Sequence, residues 1–302
     1  MKIFVSISSY DAILDASIAS TLCKKKMKNH EVYTSLSYSK KDLHVGEYQK
    51  YFDAINYVDG KEIFEKAVFD NEIPIRQFYS MYVNIKKAIE SNFDFVIILN
   101  SGSWFLDGQK VDDIISNLKN YVIGCRAMKY SNMKTISCDD HFIFININEL
   151  KNKKIIFDNF LNFIPFDFKY GGIHTILNNF FNKFSYKDIF IYSDINQSVD
   201  AYNQYPRYLH PLNFDKQFRL LHSNKNEKKN EPIRYSYLNY YAPNYFDDFI
   251  MRKINEWQYN IKLVSNNDGN FFYKESLLQK IKKFLKHSKR KKKDWGFLEN
   301  IV

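Results

Sequence analysis

The stretch FDFVIILNSGSWF, Phe93–Phe105, decides the fold of this 302-residue chain. Its apolar run, Asp94–Leu99, predicts a buried strand. The run stops abruptly at the small polar residues Asn100, Ser101 and Gly102. In an open α/β sheet, ligands bind outside the carboxyl ends of the strands. The stretch therefore predicts the floor of a ligand site.

The pattern on either side of this strand predicts an α/β domain. Lys2–Ile7 is expected to be the first strand, followed by a helix at Ala12–Leu22 with Asp11 as its N-cap. Pro74–Ser91 is an amphipathic helix by its apolar spacing. Further strands are expected at Glu31–Tyr38, Ala54–Val58, Tyr121–Cys125, His141–Ile147 and Asp188–Tyr192, and further helices at Val111–Leu118, Ile155–Phe163, Ile173–Phe184 and Phe246–Ile261. This alternation indicates a mostly parallel sheet that is covered on both faces.

The length suits one large domain or one domain with an appendage. Hydrophobic residues make up 45% of the chain, which is enough for a sizeable core. We assign residues 1–223 to the catalytic α/β domain and the polar run NKNEKKNE, 224–231, to a loop or boundary. Residues 232–302 form an aromatic and helical C-terminal region with a basic tail at 280–293.

Charge and cysteine content restrict the compartment. The net charge is +10, much of it in the tail, and the spacing of the three cysteines matches no disulfide or zinc framework. This favours a reducing compartment. The sequence shows no signal-peptide pattern and no apolar run as long as a membrane span, so a cytoplasmic protein is expected.

Two groups of polar residues are candidates for binding a ligand. The first strand runs into a turn whose small residues let a ligand approach the backbone, and this turn contains Ser8, Ser9, Tyr10 and Asp11. The helix before the central strand carries Arg76 and Asn84. An arginine binds phosphate in a planar, bidentate manner, and the start of a helix favours an anion.

The segments IFVSISSYD, 3–11, and IRQFYSMYVNIKKAIESNFDFVIILN, 75–100, resemble the GT-A-type nucleotide-sugar glycosyltransferases. The resemblance covers about the first 150 residues and is strongest to small bacterial transferases that build lipooligosaccharide or capsule. It implies a GT-A-like, Rossmann-type mixed sheet flanked by helices, here with a helical basic C-terminal extension. It also implies a donor site in which the first turn holds the nucleotide, Arg76 the diphosphate, and Asn100 and Ser101 the ribose or the donor sugar, with Asn84 beside them.

One feature departs from the family pattern. The central strand of these enzymes ends in an Asp-x-Asp that holds a metal, whereas this chain has Asn100-Ser101-Gly102. Carboxylate oxygens are the usual ligands for a cation that bridges a diphosphate. Three alternatives are open: an enzyme that needs no metal, manganese or magnesium held by other residues, or a chain that has lost catalysis.

The other candidates for chemistry lie in the sequence SCDDH, 137–141, just before an expected strand. On an extended chain, Asp139 and His141 point to one face and Asp140 to the other. Asp139 with His141 is a candidate metal pair, and either aspartate is a candidate general base for an acceptor hydroxyl. His222 is a second candidate for the metal or the diphosphate, and so is His210.

The basic tail predicts contact with an anionic surface. The residues expected at a membrane are Lys282, Lys283, Lys286, Lys289, Arg290 and Trp295. Basic residues are attracted to anionic lipid, and aromatic side chains suit the headgroup region. Nucleic acid would use the same charges.

These observations predict a hexosyltransferase-like enzyme of lipopolysaccharide or capsule synthesis. It would move a sugar from a UDP- or CMP-type donor to a glycan or glycolipid acceptor, peripherally at the inner face of the cytoplasmic membrane. Two alternatives remain: a non-catalytic nucleotide- or glycan-binding partner protein, and a nucleic-acid-binding protein that acts through the tail.

Overall fold

The computed structural model describes residues 1–39, 45–58, 72–128, 137–154, 160–164, 173–194, 213–215, 220–222, 237–238, 241–255, 263–265 and 271–273. The strands are β1 (Lys2–Ser9), β2 (Glu31–Tyr38), β3 (Ala54–Tyr57), β4 (Phe95–Asn100), β5 (Ser103–Phe105), β6 (Ile123–Met128), β7 (Ser137–Asn146), β8 (Ile189–Asp194), β9 (Asn213–Asp215), β10 (Leu220–His222), β11 (Leu263–Ser265) and β12 (Phe271–Tyr273). The α-helices are α1 (Ile13–Lys26), α2 (Glu72–Glu90), α3 (Gly108–Asn117), α4 (Ile147–Asn152), α5 (Ile173–Phe181) and α6 (Asp248–Asn255).

Seven strands form one mixed sheet in the order β3-β2-β1-β4-β7-β6-β8. The four strands from β3 to β4 are parallel, and β6 is parallel to β8. β7 is antiparallel to both of its neighbours, β4 and β6. The expected mixed, mostly parallel α/β sheet is therefore confirmed, with β7 as the one antiparallel strand among the seven. Because β7 runs against β4, its first residues lie beside the carboxyl end of β4.

Both faces of this sheet are covered, as the continuous apolar runs of β1 and β4 predict. Successive side chains of a strand point to opposite faces. Accordingly Ile97 and Leu99 pack with α1 and α3 on one face, whereas Val96 and Ile98 pack with α2 and α5 on the other. Burial of this apolar surface is the main force that holds the helices on the sheet.

The bounds of two elements, β7 and α6, differ from the bounds expected from the sequence. β7 begins at Ser137, not at His141, because the chain from Ser137 onward already pairs with β6 through a register shift near Cys125. The SCDDH segment therefore lies within a strand. In addition, α6 is described only as Asp248–Asn255, and residues 256–261 of the expected longer helix lie outside the described residues.

The described C-terminal residues share a core with the N-terminal sheet. Ile250 and Ile254 of α6 are buried in the same cluster as β1 and α1. Lys50 Nζ and the Tyr51 hydroxyl each donate to Asp247 Oδ2 at 2.7 Å. The polar segment 224–231 and the basic tail lie outside the described residues, so the domain division stays a prediction. A short second sheet, in the order β5-β10-β9, sits beyond the end of β4. Within the described residues, no helix is both long and apolar enough to cross a membrane.

Candidate functional site

A cleft of about 170 Å³ opens at the carboxyl ends of β1, β2 and β4, against the first turns of α2. Every residue that lines it has a polar group in its side chain: Ser8, Ser9, Tyr10, Ser37, Ser39, Arg76, Gln77, Ser80, Asn100 and Ser101. Parallel strands place their carboxyl ends at the same edge of a sheet, which explains why residues so distant in sequence meet here. The cleft is smaller than a typical ligand pocket of roughly 300–1,000 Å³.

The floor of the cleft is where β1 and β4 end together. Ser8 pairs with Asn100 in the parallel register, and the Ser101 amide donates to the Ser8 carbonyl at 2.8 Å. Tyr10 is 56% exposed at the rim. These contacts confirm that the two predicted strand ends lie side by side. They do not test which ligand the strand ends hold.

The turn after β1 corrects one expectation. α1 begins at Ile13, and its N-cap position is Ala12 rather than Asp11. The Ser9 hydroxyl accepts a hydrogen bond from the Ala12 amide at 3.0 Å and closes the turn, so Asp11 is not needed as a cap. Asp11 is half-buried and does not line the cleft.

One wall of the cleft is a face of α2. Arg76, Gln77 and Ser80 lie within one turn of each other there, since residues three or four apart share a helix face. The Ser80 hydroxyl donates to the Arg76 carbonyl at 3.0 Å. Arg76 is the fifth residue of α2 and is half-buried. It is the cationic side chain among the described residues that line the cleft.

Asn84 lies two turns further along α2, behind the cleft. Its side chain is buried, and its amide nitrogen donates to Ser6 Oγ at 2.7 Å and to Ser37 Oγ at 3.2 Å. These bonds tie α2 to β1 and β2. The packing supports a structural role, and direct donor contact by Asn84 stays a prediction.

A triangle of polar side chains links α2, β4 and β7. Gln77 Nε2 donates to Asn100 Oδ1 at 3.0 Å and to Asp140 Oδ2 at 2.8 Å. Asn100 Nδ2 donates to the same Asp140 oxygen at 3.1 Å. The antiparallel pairing of β7 with β4 brings Asp140 here. We call these three residues the amide–carboxylate triangle.

Behind the triangle lies a buried group of charges. Asp139 and Arg126 are both 0% exposed, and Arg126 Nη1 lies 3.4 Å from Asp139 Oδ2. The other oxygen of Asp139 contacts His141 Nδ1 and accepts from the His141 backbone amide at 3.1 Å. The Arg126 guanidinium also lies over the Phe142 ring, 5.3 Å from its centroid. Asp139 is thus held between two cationic groups.

The charges around His141 set its protonation. Burial lowers the pKa of this imidazole, but the nearby carboxylates of Asp140 and Asp139 outweigh burial and raise the pKa to about 9. His141 Nδ1 lies 3.4 Å from Asp140 Oδ1. At neutral pH the imidazole is therefore protonated and acts as a cation between the two carboxylates.

The donor set of this cluster is a poor fit for a divalent metal, because its carboxylate oxygens already have partners within the protein. Ligand atoms of Asp139, Asp140 and His141 lie within 4.8 Å of one another, as a metal site requires. A histidine ligand must be neutral, so a metal would have to displace the proton that His141 holds at neutral pH. Asp139 already faces the buried Arg126, and Asp140 Oδ2 accepts from two amides. In the absence of a metal, the protonated His141 and Arg126 neutralise the two carboxylates, so a metal would have to compete with both of them.

The remaining predicted residues are placed less fully. The backbone of His222 pairs with Ser103 in the second sheet, three residues beyond Asn100. Its side chain and all of His210 lie outside the described part of the chain. The same holds for the membrane candidates Lys282, Lys283, Lys286, Lys289, Arg290 and Trp295.

Two residues of this site, Gln77 and Arg126, were not predicted from the sequence. Gln77 follows Arg76 and precedes Asn84 by seven residues, a spacing that puts it on the sheet-facing side of α2. Arg126 is a lone charge within the otherwise uncharged strand IGCRAM. A charged side chain in such a strand is almost never buried unless it is paired, which points to a carboxylate on a neighbouring strand.

Comparisons with known proteins support the fold. No protein-family model and no curated protein matches the chain. The apo structure of the bifunctional glycosyltransferase WbbM matches 86% of this chain and 52% of its own, with 11% identity and a TM-score of 0.50. The chain thus spans about half the length of WbbM.

Two further solved structures match with lower TM-scores. The glycosyltransferase GlyE of Streptococcus pneumoniae TIGR4 covers 84% of this chain and 62% of its own, at 13% identity and a TM-score of 0.47. The galactosyltransferase LgtC, in complex with donor and acceptor sugar analogs, covers 85% and 95%, at 12% identity and a TM-score of 0.46. Together with the sheet order, the match to WbbM shows that the fold is of the GT-A type, as the sequence resemblance implied.

Proposed function

We propose that this chain is a glycosyltransferase whose cleft binds a nucleotide-sugar donor without a metal ion. The observation that carries the proposal is the position of Arg76. It lines a polar cleft at the carboxyl ends of β1 and β4, which is where an α/β sheet binds its ligands. The same strand end presents Asn100 and Ser101 where a metal-dependent relative would present carboxylates.

Arg76 supplies the charge that this reaction needs. Transfer of the sugar leaves a nucleotide phosphate with growing negative charge on the leaving oxygen. A fixed guanidinium beside that oxygen stabilises the transition state more than the ground state. The serine hydroxyls of Ser8, Ser9 and Ser101 are hydrogen-bond partners for the phosphates or the ribose. In this proposal Arg76 takes over the role of manganese or magnesium.

Of the two aspartates, the geometry favours Asp140 as the general base. Asp140 is hydrogen-bonded to Gln77 and Asn100, which both line the cleft. Asp139 is fully buried between Arg126 and His141 and is placed to hold the strand end. A general base must come within hydrogen-bond reach of the acceptor hydroxyl. Asp140 is 6% exposed, so an acceptor reaches it only where the triangle opens toward the cleft.

The acceptor and the location follow from the charge of the chain. The net charge of +10 and the basic tail favour a glycan acceptor carried on an anionic membrane, such as a glycolipid of the cell surface. We propose that the protein works at the inner face of the cytoplasmic membrane. Deletion of residues 280–302 is expected to abolish binding to vesicles that contain phosphatidylglycerol while leaving nucleotide binding intact. Loss of RNA binding with unchanged vesicle binding would instead support the nucleic-acid alternative.

Isothermal titration calorimetry tests the donor site directly. The protein is titrated with UDP, CMP and their sugar derivatives, first with EDTA and then with manganese. We expect at least one of these nucleotides to bind equally well under both conditions. Arg76→Ala should weaken that binding by roughly 10- to 100-fold, which is the effect of losing a hydrogen bond to a charged group. Arg252→Ala is the matched control, because Arg252 is exposed on α6.

Two calorimetric results would contradict the proposal. Failure of the wild-type protein to bind any of these nucleotides would rule out the donor site, and binding only with manganese would rule out the metal-free mode. The alternative of a non-catalytic binding partner is favoured by one observation, the two amide donors that already occupy Asp140 Oδ2. Release of free nucleotide from the bound donor in the presence of an acceptor glycan would exclude that alternative.

A further inference from the structure

The orientation of the Gln77 side chain is fixed by its neighbours. An ionised carboxylate accepts hydrogen bonds and donates none. The amide nitrogens of Gln77 and Asn100, and not their oxygens, must therefore face Asp140 Oδ2. Gln77 Nε2 carries two hydrogens, and the bonds to Asn100 Oδ1 and Asp140 Oδ2 use both.

The two hydrogen bonds of Nε2 determine which atom of Gln77 is left to bind a ligand. Gln77 is half-buried and lines the cleft beside Arg76 and Asn100. With Nε2 fully used, its carbonyl oxygen Oε1 is the polar atom left, and no described residue donates to it. A carbonyl oxygen accepts hydrogen bonds from hydroxyl groups. The phosphates of a nucleotide carry no hydroxyl of this kind at neutral pH, whereas the ribose and a donor sugar do, and a comparison of bare and sugar-bearing nucleotides separates these two.

We propose that Gln77 is a specificity-determining residue that reads a hydroxyl group of the donor sugar through Oε1. This inference rests on the proposed donor site and deepens it. Asp140 is the positioning residue in this arrangement, because its carboxylate keeps the Gln77 amide from turning over. Arg76, the preceding residue on α2, lines the same cleft, so a phosphate at Arg76 and a sugar at Gln77 would share one site.

A purely structural role for Gln77 makes a different prediction. If the triangle only joins α2 to β4 and β7, its loss would loosen the whole cleft. The nucleotide and the nucleotide sugar would then lose affinity by the same factor. If Gln77 reads the sugar, only the ligand that carries a sugar should lose affinity. The ratio of the two dissociation constants separates the two roles.

The experiment measures this ratio by calorimetry on the full chain in EDTA. The ligand pairs are UDP against UDP-glucose, UDP-galactose and UDP-N-acetylglucosamine, and CMP against CMP-N-acetylneuraminic acid. We expect wild-type protein to prefer one sugar-bearing ligand over its bare nucleotide. Gln77→Leu should weaken that ligand about three- to ten-fold, the effect of one hydrogen bond between neutral groups. The affinity for the bare nucleotide should stay within about two-fold of wild type, which is below the effect of one hydrogen bond.

Two further variants and a control complete the design. Gln77→Glu keeps the side-chain size but cannot donate to Asp140, and Asp140→Asn permits the Gln77 amide to turn over. We expect both variants to lose the preference for the sugar-bearing nucleotide over the bare nucleotide. They also provide the test if Gln77→Leu does not fold. Gln109→Leu is the matched control, because Gln109 is exposed on α3 and bonds only locally to Asp113. It should behave as wild type.

Two outcomes would overturn the inference alone, without touching the donor site. One is an equal loss of affinity for the bare and the sugar-bearing nucleotide in the Gln77 variants. The other is no loss of preference in any of them. A wild-type protein that binds no nucleotide would overturn the donor site itself, and the role of Gln77 with it.

Discussion

Replacing Arg126 by methionine tests whether the buried ion pair organises the polar end of β7. Arg126 and Asp139 are both fully buried, with Nη1 and Oδ2 3.4 Å apart. Removing one partner of a buried ion pair leaves an uncompensated charge and costs about 3–5 kcal/mol. Since His141 still faces Asp139 in this variant, we expect Arg126→Met to lower the free energy of unfolding by about 3 kcal/mol, the lower end of that range.

The complementary variant should cost more. Asp139→Asn removes the carboxylate between Arg126 and His141, so two cationic groups lose their shared partner. We expect a loss of about 5 kcal/mol, the upper end of the same range. In the double variant, Arg126→Met with Asp139→Asn, the unpaired charge is gone. Its cost should therefore fall below the sum of the two single costs by about 2–3 kcal/mol, as for residues in direct contact.

Urea unfolding at pH 7 measures all three variants against wild type, with the buried Trp104 as a fluorescent probe. Arg252→Met on the exposed face of α6 is the control and should stay within about 0.5 kcal/mol of wild type. The reasoning fails if Arg126→Met costs less than about 1 kcal/mol, or if the single costs add up in the double variant to within about 0.5 kcal/mol.

Three other predictions concern stability. The pKa of His141 is about 9 in the folded protein against its usual 6.5, so its contribution is full below pH 6.5 and is lost as the pH rises through 9. The free energy of unfolding should fall by up to roughly 3 kcal/mol over that window, and His141→Gln should flatten the curve. Gly108→Ala would place a Cβ 2.0 Å from the Lys26 carbonyl oxygen and should lower stability by about 1–3 kcal/mol in urea; Gly46→Ala, where nothing lies within 4 Å, should be close to neutral, and equal effects would contradict the packing. Asp247→Ala removes an acceptor for the first turn of α6 and should cost about 1 kcal/mol by thermal unfolding, whereas an unchanged melting temperature would contradict the capping role.

The central part of the fold could be predicted from the sequence because local patterns determine it. The apolar run before Asn100 matches β4 to within one residue, and the run starting at Lys2 matches the core of β1. The amphipathic spacing after Pro74 matches α2. The antiparallel direction of β7 could not be predicted, since strand direction depends on the path of the connection and not on the composition of the strand.

The candidate site was predictable where it lies at strand ends. Asn100, Ser101, Ser8 and Arg76 meet at one cleft, as their positions in the sequence suggested. The link from this cleft to the aspartates was not predictable, because it depends on the register between β4 and β7.

The side chains that make that link are ordinary ones. Gln77 is a neutral residue on a helix, and its importance appears only once Asn100 and Asp140 lie within 3.0 Å of its nitrogen. Arg126 gains its role in the same way, through the pairing of β6 with β7. The register between β4 and β7 is a tertiary property, and their continuous apolar runs show no alternation from which a pairing could be predicted.

A crystal structure of the protein soaked with a uridine or cytidine nucleotide sugar in EDTA tests the central claim most directly. We expect electron density for the nucleotide sugar in the cleft between β1 and β4, with the phosphates within hydrogen-bond distance of Arg76 and the sugar beside Gln77 and Asn100. Nucleotide density at another place on the protein would contradict the account. So would binding that appears only when manganese is added and lies between Asp139 and Asp140.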